Sequence, residues 1–254
     1  MGDGRYSAEA ERKEGGEGKM ITVEYNDVAS ESIPGLFVTK FPVVTLGEKR
    51  VTEFTLAGRD GNVYVDDGVY NPTIIQCEFG CLGTVDDLQT IVDKCLEWLE
   101  SEGNMRLRIS NRPGHFYVVS KSSITDITQE MLQYTLITAE FTCHPFKYVD
   151  GSYNFQEISN DGIYNIYSVS HPLYRIHGEG RCVLNVNGKE FIAQVGQNLI
   201  IDTGLKLSYR EDGTLNNIGV TGDYEDLYIC RGYNEIAITS GFTLQIAPMW
   251  RVRG

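Results

Sequence analysis

The sequence predicts a mainly β protein in two parts, a strand-rich N-terminal unit with a single α-helix and then a unit built from strands alone. Three observations predict it. Apolar and polar residues alternate through most of residues 20–150, and one window, Thr84 to Gly103, switches to helical spacing. A polar break at Asp150-Gly151-Ser152 opens a stretch that stays polar through Asn165. Beyond it, short apolar runs recur between turn residues with no helical period, the pattern of a β-sandwich of about 90 to 100 residues. The expected organisation is a leader at 1–19, a first domain at 20–150, a linker at 151–165 and a second domain at 166–254.

The leader, MGDGRYSAEAERKEGGEGK, has no Leu, Ile, Val or Phe, so it lacks the apolar centre of a signal peptide and is predicted disordered. Gly, Glu and Lys codons are purine-rich, as is the ribosome-binding site before a bacterial start codon. The leader is therefore read as non-native sequence, with Met20 as the natural start. No apolar run approaches the roughly 18 residues of a membrane span. The expectation is a soluble product made in the cytoplasm, without membrane insertion.

From Met20 the elements follow in order. MITVEYN and VTEFTLAG alternate as strands, and NVYVDDGVYNPTIIQCEFGCL reads as a hairpin turning at Asp67-Gly68. Asp66-Asp67-Gly68 lacks the spacing and distal glutamate of a calcium loop. In TVDDLQTIVDKCLEWLESEG, Leu88, Ile91, Val92, Cys95, Leu96 and Leu99 fall on one helical stripe. Thr84-x-x-Asp87 is a capping box before it, and Gly103 is the expected stop. MRLRIS and FYVVSK flank NRPGH as a hairpin, and LQYTLITAEFTCHPFKYV is one long strand from 132 to 149. In the second unit, turns are expected at Gly178, Asn187-Gly188, Asp212-Gly213, Gly222 and Ser240-Gly241.

At 254 residues, with 41% hydrophobic and 22% charged, the chain is globular. Its net charge of −13 argues against nucleic-acid binding, which needs a basic surface. The acid is concentrated early: residues 20–150 hold 19 Asp+Glu against 10 Lys+Arg. The six cysteines, Cys77, Cys81, Cys95, Cys143, Cys182 and Cys230, lie in apolar patterns and read as reduced, buried hydrophobes.

One string invites an enzymatic reading. Leu199-Ile200-Ile201-Asp202-Thr203-Gly204 is similar to the loop of an aspartic protease, where two aspartates share a proton. This chain has one such loop, and no downstream apolar pair followed by Gly to pack behind it. Asp-Thr-Gly after β-branched residues is also a strand end, because Asp and Gly suit turns. His115, His144, His171 and His177 are scattered, and Cys143 and His144, adjacent on a strand, point to opposite faces. No catalytic, cofactor-binding or metal-ligating residues are assigned, and neither a cofactor nor an enzyme is expected.

Four motifs carry a resemblance. Phe141-Thr142-Cys143-His144-Pro145-Phe146-Lys147-Tyr148 resembles the Phe-x-Cys-x-Pro-(Phe/Tyr)-Lys-Tyr segment that closes the first domain of distal tail proteins (Dit) of long-tailed, non-contractile phages. Gly58 to Gly68 resembles that family's Gly-Arg-Asp-Gly…Tyr-x-Asp-Asp-Gly segment. Ser170 to Gly178 resembles its second-domain opening, and Ile246 to Arg251 its closing strand. The four occur in order along the chain, and the resemblance covers essentially all of residues 20 to 254.

The resemblance implies a structural virion protein at the tail tip, encoded by a phage or prophage. In that family the first domain, with one helix and an extended hairpin, forms a homohexameric ring. A galectin-like β-sandwich stands outside the ring. The ring is the baseplate hub: it joins the tail tube to tail-associated tip and receptor-binding proteins, and DNA passes through its centre without specific binding. Galectins grip sugar through His-x-Asn-x-Arg and a Trp platform. Residues 166–254 have neither pattern, since Trp250 stands alone, so the second domain is expected to dock proteins. The alternative reading is a carbohydrate-binding module for a host surface glycan, kept by the 15 Tyr and 10 Phe.

Overall fold

The structure, a computed structural model, describes residues 20–158 and 162–254. The leader, expected to be disordered, and residues 159–161 of the expected linker lie outside the described residues. The chain is mainly β, as expected, with one α-helix among the described residues.

MITVEYN supplies β1 (Val23–Tyr25), and β2 (Val28–Ala29), β3 (Leu36–Val38) and β4 (Val43–Thr45) follow. β5 (Lys49–Thr55) and β6 (Asn62–Tyr70) pair with each other alone, as a two-stranded arm. The arm does not turn at Asp67-Gly68. It turns at Gly58-Arg59-Asp60-Gly61, whose two glycines take φ of 80° and 79°. Asp67-Gly68 is instead a bulge inside β6. The register slips between Lys49 and Val51, and the Gly68 N–H donates to Asp66 Oδ1 at 2.8 Å. An aspartate bonded to a backbone N–H two residues on suits a turn and a bulge equally, so the two look alike in sequence.

β7 (Thr73–Leu82), α1 (Leu88–Leu99), β8 (Arg106–Ile109), β9 (His115–Met131) and β10 (Tyr134–Val149) complete the first unit. The predicted stripe of α1 is the face it packs: Leu88, Val92, Cys95 and Leu99 are buried, joined by Trp98, whose indole N–H donates to the Tyr25 carbonyl at 3.1 Å. Thr84 and Asp87 are bonded side chain to side chain at 2.6 Å, one turn ahead of the helix. Gly103 does not end α1, which stops at Leu99 with Glu100 still in right-handed helical geometry. A Cβ on Gly103 would stand 2.8 Å from the Asn26 side chain, so close packing accounts for the glycine.

The strands form an antiparallel sheet in the order β2-β1-β8-β9-β10-β7-β3, with β4 also on β7. Tyr25, Phe79, Trp98, Leu107, Ile137 and Phe141 fill the space between sheet and helix. Each such side chain contributes about 1.5–3 kcal/mol through burial.

The second unit comprises β11 (Gln156–Glu157), β12 (Ile163–Asn165), β13 (Leu173–Val186), β14 (Lys189–Asp202), β15 (Leu207–Tyr209), β16 (Val220–Thr221), β17 (Gly232–Asn234), β18 (Ile236–Ile238) and β19 (Thr243–Ala247). β13 and β14 form a long hairpin closed by Asn187-Gly188, with φ of 54° and 81°. Gly178, expected at a turn, lies within β13. A Cβ there would come within 2.2 Å of the Phe242 ring.

β13 changes partner past that glycine. Leu173–His177 pairs with β19 and Leu184–Val186 with β18. Side chains from both halves, Tyr174, Ile176, Cys182 and Leu184, meet in one core. The last strand, β20 (Arg251–Arg253), leaves this unit and pairs with Phe146–Tyr148 of β10 in the first sheet.

Candidate assembly surface

Asp202 closes β14. Its side chain is largely buried, and Oδ1 accepts the Leu205 N–H at 2.8 Å, which caps the following turn. Thr203 is buried and its hydroxyl donates to the Pro172 carbonyl at 2.8 Å. The Asp-Thr-Gly string therefore ends one strand and pins its turn to the segment that opens β13. Asp202 is the lone carboxylate lining the adjacent cleft, where proton-sharing proteolysis needs two.

His144 and His171 line one cleft, His115 and His177 lie elsewhere, and each of the four has a different partner. His115 contacts the Pro113 carbonyl, His144 the Tyr148 hydroxyl, His171 the Tyr228 ring and His177 the Glu211 carboxylate. Cys143 is buried and His144 exposed, on opposite faces of β10. Among the described residues no group of three His, Cys, Asp or Glu is placed to hold a metal ion. Five cysteines are buried, and burial pushes the Cys77 and Cys143 thiols up to about 12. Cys230 departs from the expectation and is exposed: DLYICRG is not a strand but the end of a 3-10 helix (Tyr224–Leu227) followed by an isolated bridge at Ile229, and only Leu227 and Ile229 turn inward.

The feature with most capacity to bind is the β5–β6 arm. Val51, Phe54, Leu56, Tyr64, Val65 and Val69 are all exposed along it; Phe54 is 49% and Tyr64 63% accessible. Neither outer edge of the ribbon is paired among the described residues. A two-stranded ribbon with no sheet behind it is at best marginally stable. Exposed apolar residues of this density mark a contact surface. Sequence alternation identified both strands, but nothing in it said that no sheet lies behind them.

The base of the arm is held by the far end of the chain. Arg253 donates to the Pro145 carbonyl at 2.8 Å and to the Gly47 carbonyl, and its guanidinium stacks 4.0 Å from the Tyr70 ring. Lys49 and Asp66 form an ion pair there. Beside this base a cleft of about 320 Å³ separates the two sheets, lined by Phe146, Tyr148, His171, Asp202, Met249 and Arg251.

In that cleft the His171 ring stacks on Tyr228 at 3.9 Å, and Arg251 donates to His171 Nε2 at 2.8 Å while lying 4.3 Å over Phe146. Burial, then the Arg251 and Lys206 charges, hold the His171 imidazole down at about 4. A neutral ring accepting from a cation can hold two sheets together; it lacks the paired acid and base of a catalyst. His171 and Arg251 lie 80 residues apart, so no local pattern predicts their contact.

No protein-family model matches the chain, and no curated protein matches it. Among solved structures, the fold is similar to the crystal structure of the SPP1 Dit (gp 19.1) protein, with a TM-score of 0.59 and 14% identity. The match covers 93% of this chain and 100% of that one. That protein is described as a paradigm of the hub adsorption apparatus in phages infecting Gram-positive bacteria. At this identity the likeness is one of fold.

Proposed function

We propose that this chain is a structural virion protein, a phage distal tail protein that acts as the baseplate hub. It forms a homohexameric ring at the tail tip and joins the tail tube to tip and receptor-binding proteins around a DNA channel. Residues 20–150 build the ring. The segment 151–165 leads into a galectin-like β-sandwich at 166–254 and adds the strands β11 and β12 to it; this unit stands outside and docks protein partners. The chain performs no catalysis and needs no cofactor.

The observation that carries this reading is the arm. Apolar side chains on a ribbon without a sheet are stabilised only when another surface covers them, and a second copy of the chain supplies one in every ring contact. Likeness of fold to a hub protein over 93% of the chain supports the same reading. So does the net acid of residues 20–150, which suits a channel that must let phosphate pass without holding it.

Replacing Phe54 and Tyr64 together by Glu tests the proposal. Both side chains are exposed in the protomer, so the variant should still unfold cooperatively, its midpoint lowered only by the loss of assembly, while light scattering should report monomers where the unaltered protein gives hexamers. An assembly of unchanged mass in the double variant would remove the arm from the ring contact.

A further inference from the structure

The ribbon of β12 and β17 is a two-stranded sheet of its own, apart from the β5–β6 arm. Tyr164 and Tyr233 are direct cross-strand partners, so both side chains leave the same face. They are 66% and 62% exposed. The opposite face is fixed from beneath by Asn165 and Asn234, both fully buried. Asn165 donates to the Ser168 and Ile229 carbonyls at 3.0 and 3.2 Å and accepts the Tyr167 N–H at 2.8 Å. Asn234 donates to the Cys230 and Gly232 carbonyls at 2.8 and 3.0 Å. It accepts the Cys230 N–H and the Asn187 amide, both at 2.9 Å. The two tyrosines therefore stand on a rigid base.

Tyr233 also has a defined course. A Cβ on Gly162 would meet the Tyr233 hydroxyl at 3.0 Å and the Asn234 carbonyl at 2.1 Å. The ring thus crosses the ribbon toward bare glycine backbone and leaves most of its surface to solvent. Ile166, just past the end of β12, is also exposed, and exposed Arg231 and Glu235 bracket Tyr233 in the chain. Neither charge is engaged in a salt bridge among the described residues.

These groups narrow the ligand. Aromatic rings take flat, weakly polar C–H surfaces, and a carboxylate or guanidinium can bind two neighbouring hydroxyls at once. One positive and one negative group favour neither a polyanion nor a basic partner. The ribbon is three residue pairs long, about 10 Å. With strands about 5 Å apart, its face covers roughly 10 Å by 10 Å, about 100 Å², against the roughly 800 Å² per partner of a standard protein interface. A pyranose has an apolar C–H face and a rim of hydroxyls on a matching scale.

We propose that this face is a binding site for neutral oligosaccharide, with Tyr164 and Tyr233 as the stacking platform and Arg231 and Glu235 as hydroxyl partners. The site is independent of ring formation, so a chain that fails to assemble still binds sugar. So shallow a surface binds weakly, with a Kd of about 1 mM.

Saturation-transfer NMR on the full chain tests this with cellotriose, chitotriose and maltotriose, each at about 5 mM, and a decaproline peptide as the competing class of ligand. The expected result is transfer to the ring C–H protons of at least one trisaccharide. Replacing both tyrosines by Ala should weaken binding about tenfold, equivalent to about 1.4 kcal/mol. Tyr233→Phe should leave it within about twofold, since the stacking ring remains. Unfolding midpoints of all variants should match that of the unaltered chain. No transfer to any sugar, equal transfer in the double Ala variant, or transfer to decaproline alone would overturn the assignment.

Discussion

Acid should loosen the junction between the two sheets through His171. Its imidazole has an ordinary value of 6.5 and is held at about 4 in the fold, chiefly by burial and then by Arg251 and Lys206. The proton therefore binds more readily to the unfolded chain. The stability that follows is fully present above about 6.5 and is lost as the pH falls from there to about 4.

A displacement of that size corresponds to about 3 kcal/mol. The ring is partly exposed and water screens the effect, so about half, roughly 1.5 kcal/mol, is expected. His171→Phe keeps a flat ring against Tyr228 but removes both the titration and the acceptor for Arg251. Leaving that donor unpaired costs about 1–2 kcal/mol at every pH.

Urea unfolding of both proteins between pH 7 and pH 4 measures the difference. Carboxylates that titrate in both proteins cancel from it, and Glu225, which pulls the imidazole the other way, stays paired with Lys206 in each. The unaltered protein should lead by about 1–2 kcal/mol at pH 7 and lose about 1.5 kcal/mol of that lead by pH 4. Parallel stability curves across that window would refute the reasoning.

Asp202→Asn should leave peptide-library digestion unchanged at background and cost less than about 1 kcal/mol, because the amide oxygen can still accept the Leu205 N–H. Cleavage by the unaltered chain that Asn abolishes would restore the protease reading. Gly178→Ala should lower stability by about 2–3 kcal/mol, since its Cβ would lie 2.2 Å from the Phe242 ring. Phe242→Ala in the same chain should recover part of that loss, and additive effects would contradict the contact. A fragment of residues 151–254 should melt cooperatively as an all-β unit, because its core draws on residues 158 to 250. A broad, non-cooperative transition would count against that boundary.

Elements with a strong local period were legible in the sequence. The α1 stripe, the NRPGH hairpin, the long β10 strand and the Asn187-Gly188 turn all depend on neighbours within a few residues. Glycine was the common source of error. Gly68, Gly103 and Gly178 read as turn or stop signals, yet they serve a bulge, a close approach to Asn26 and a close approach to Phe242. The last two reasons lie across the fold, where residue spacing carries no information.

The candidate surfaces were less visible for the same reason. Alternation cannot distinguish the arm, which has no sheet behind it, from an ordinary hairpin packed on a core. The His171–Arg251 contact and the Tyr164–Tyr233 pair join residues 80 and 69 positions apart. That Asp202 ends a strand was legible because the argument was local: a β-branched run followed by turn residues.

The hub account stands on ring formation. Negative-stain microscopy of the purified chain, with particles classified by symmetry, is the direct measurement. The account predicts six-fold rings with an open centre and protrusions outside. A field of single protomers, or closed particles of another symmetry, at concentrations where the arm's exposed apolar side chains must be covered would contradict it.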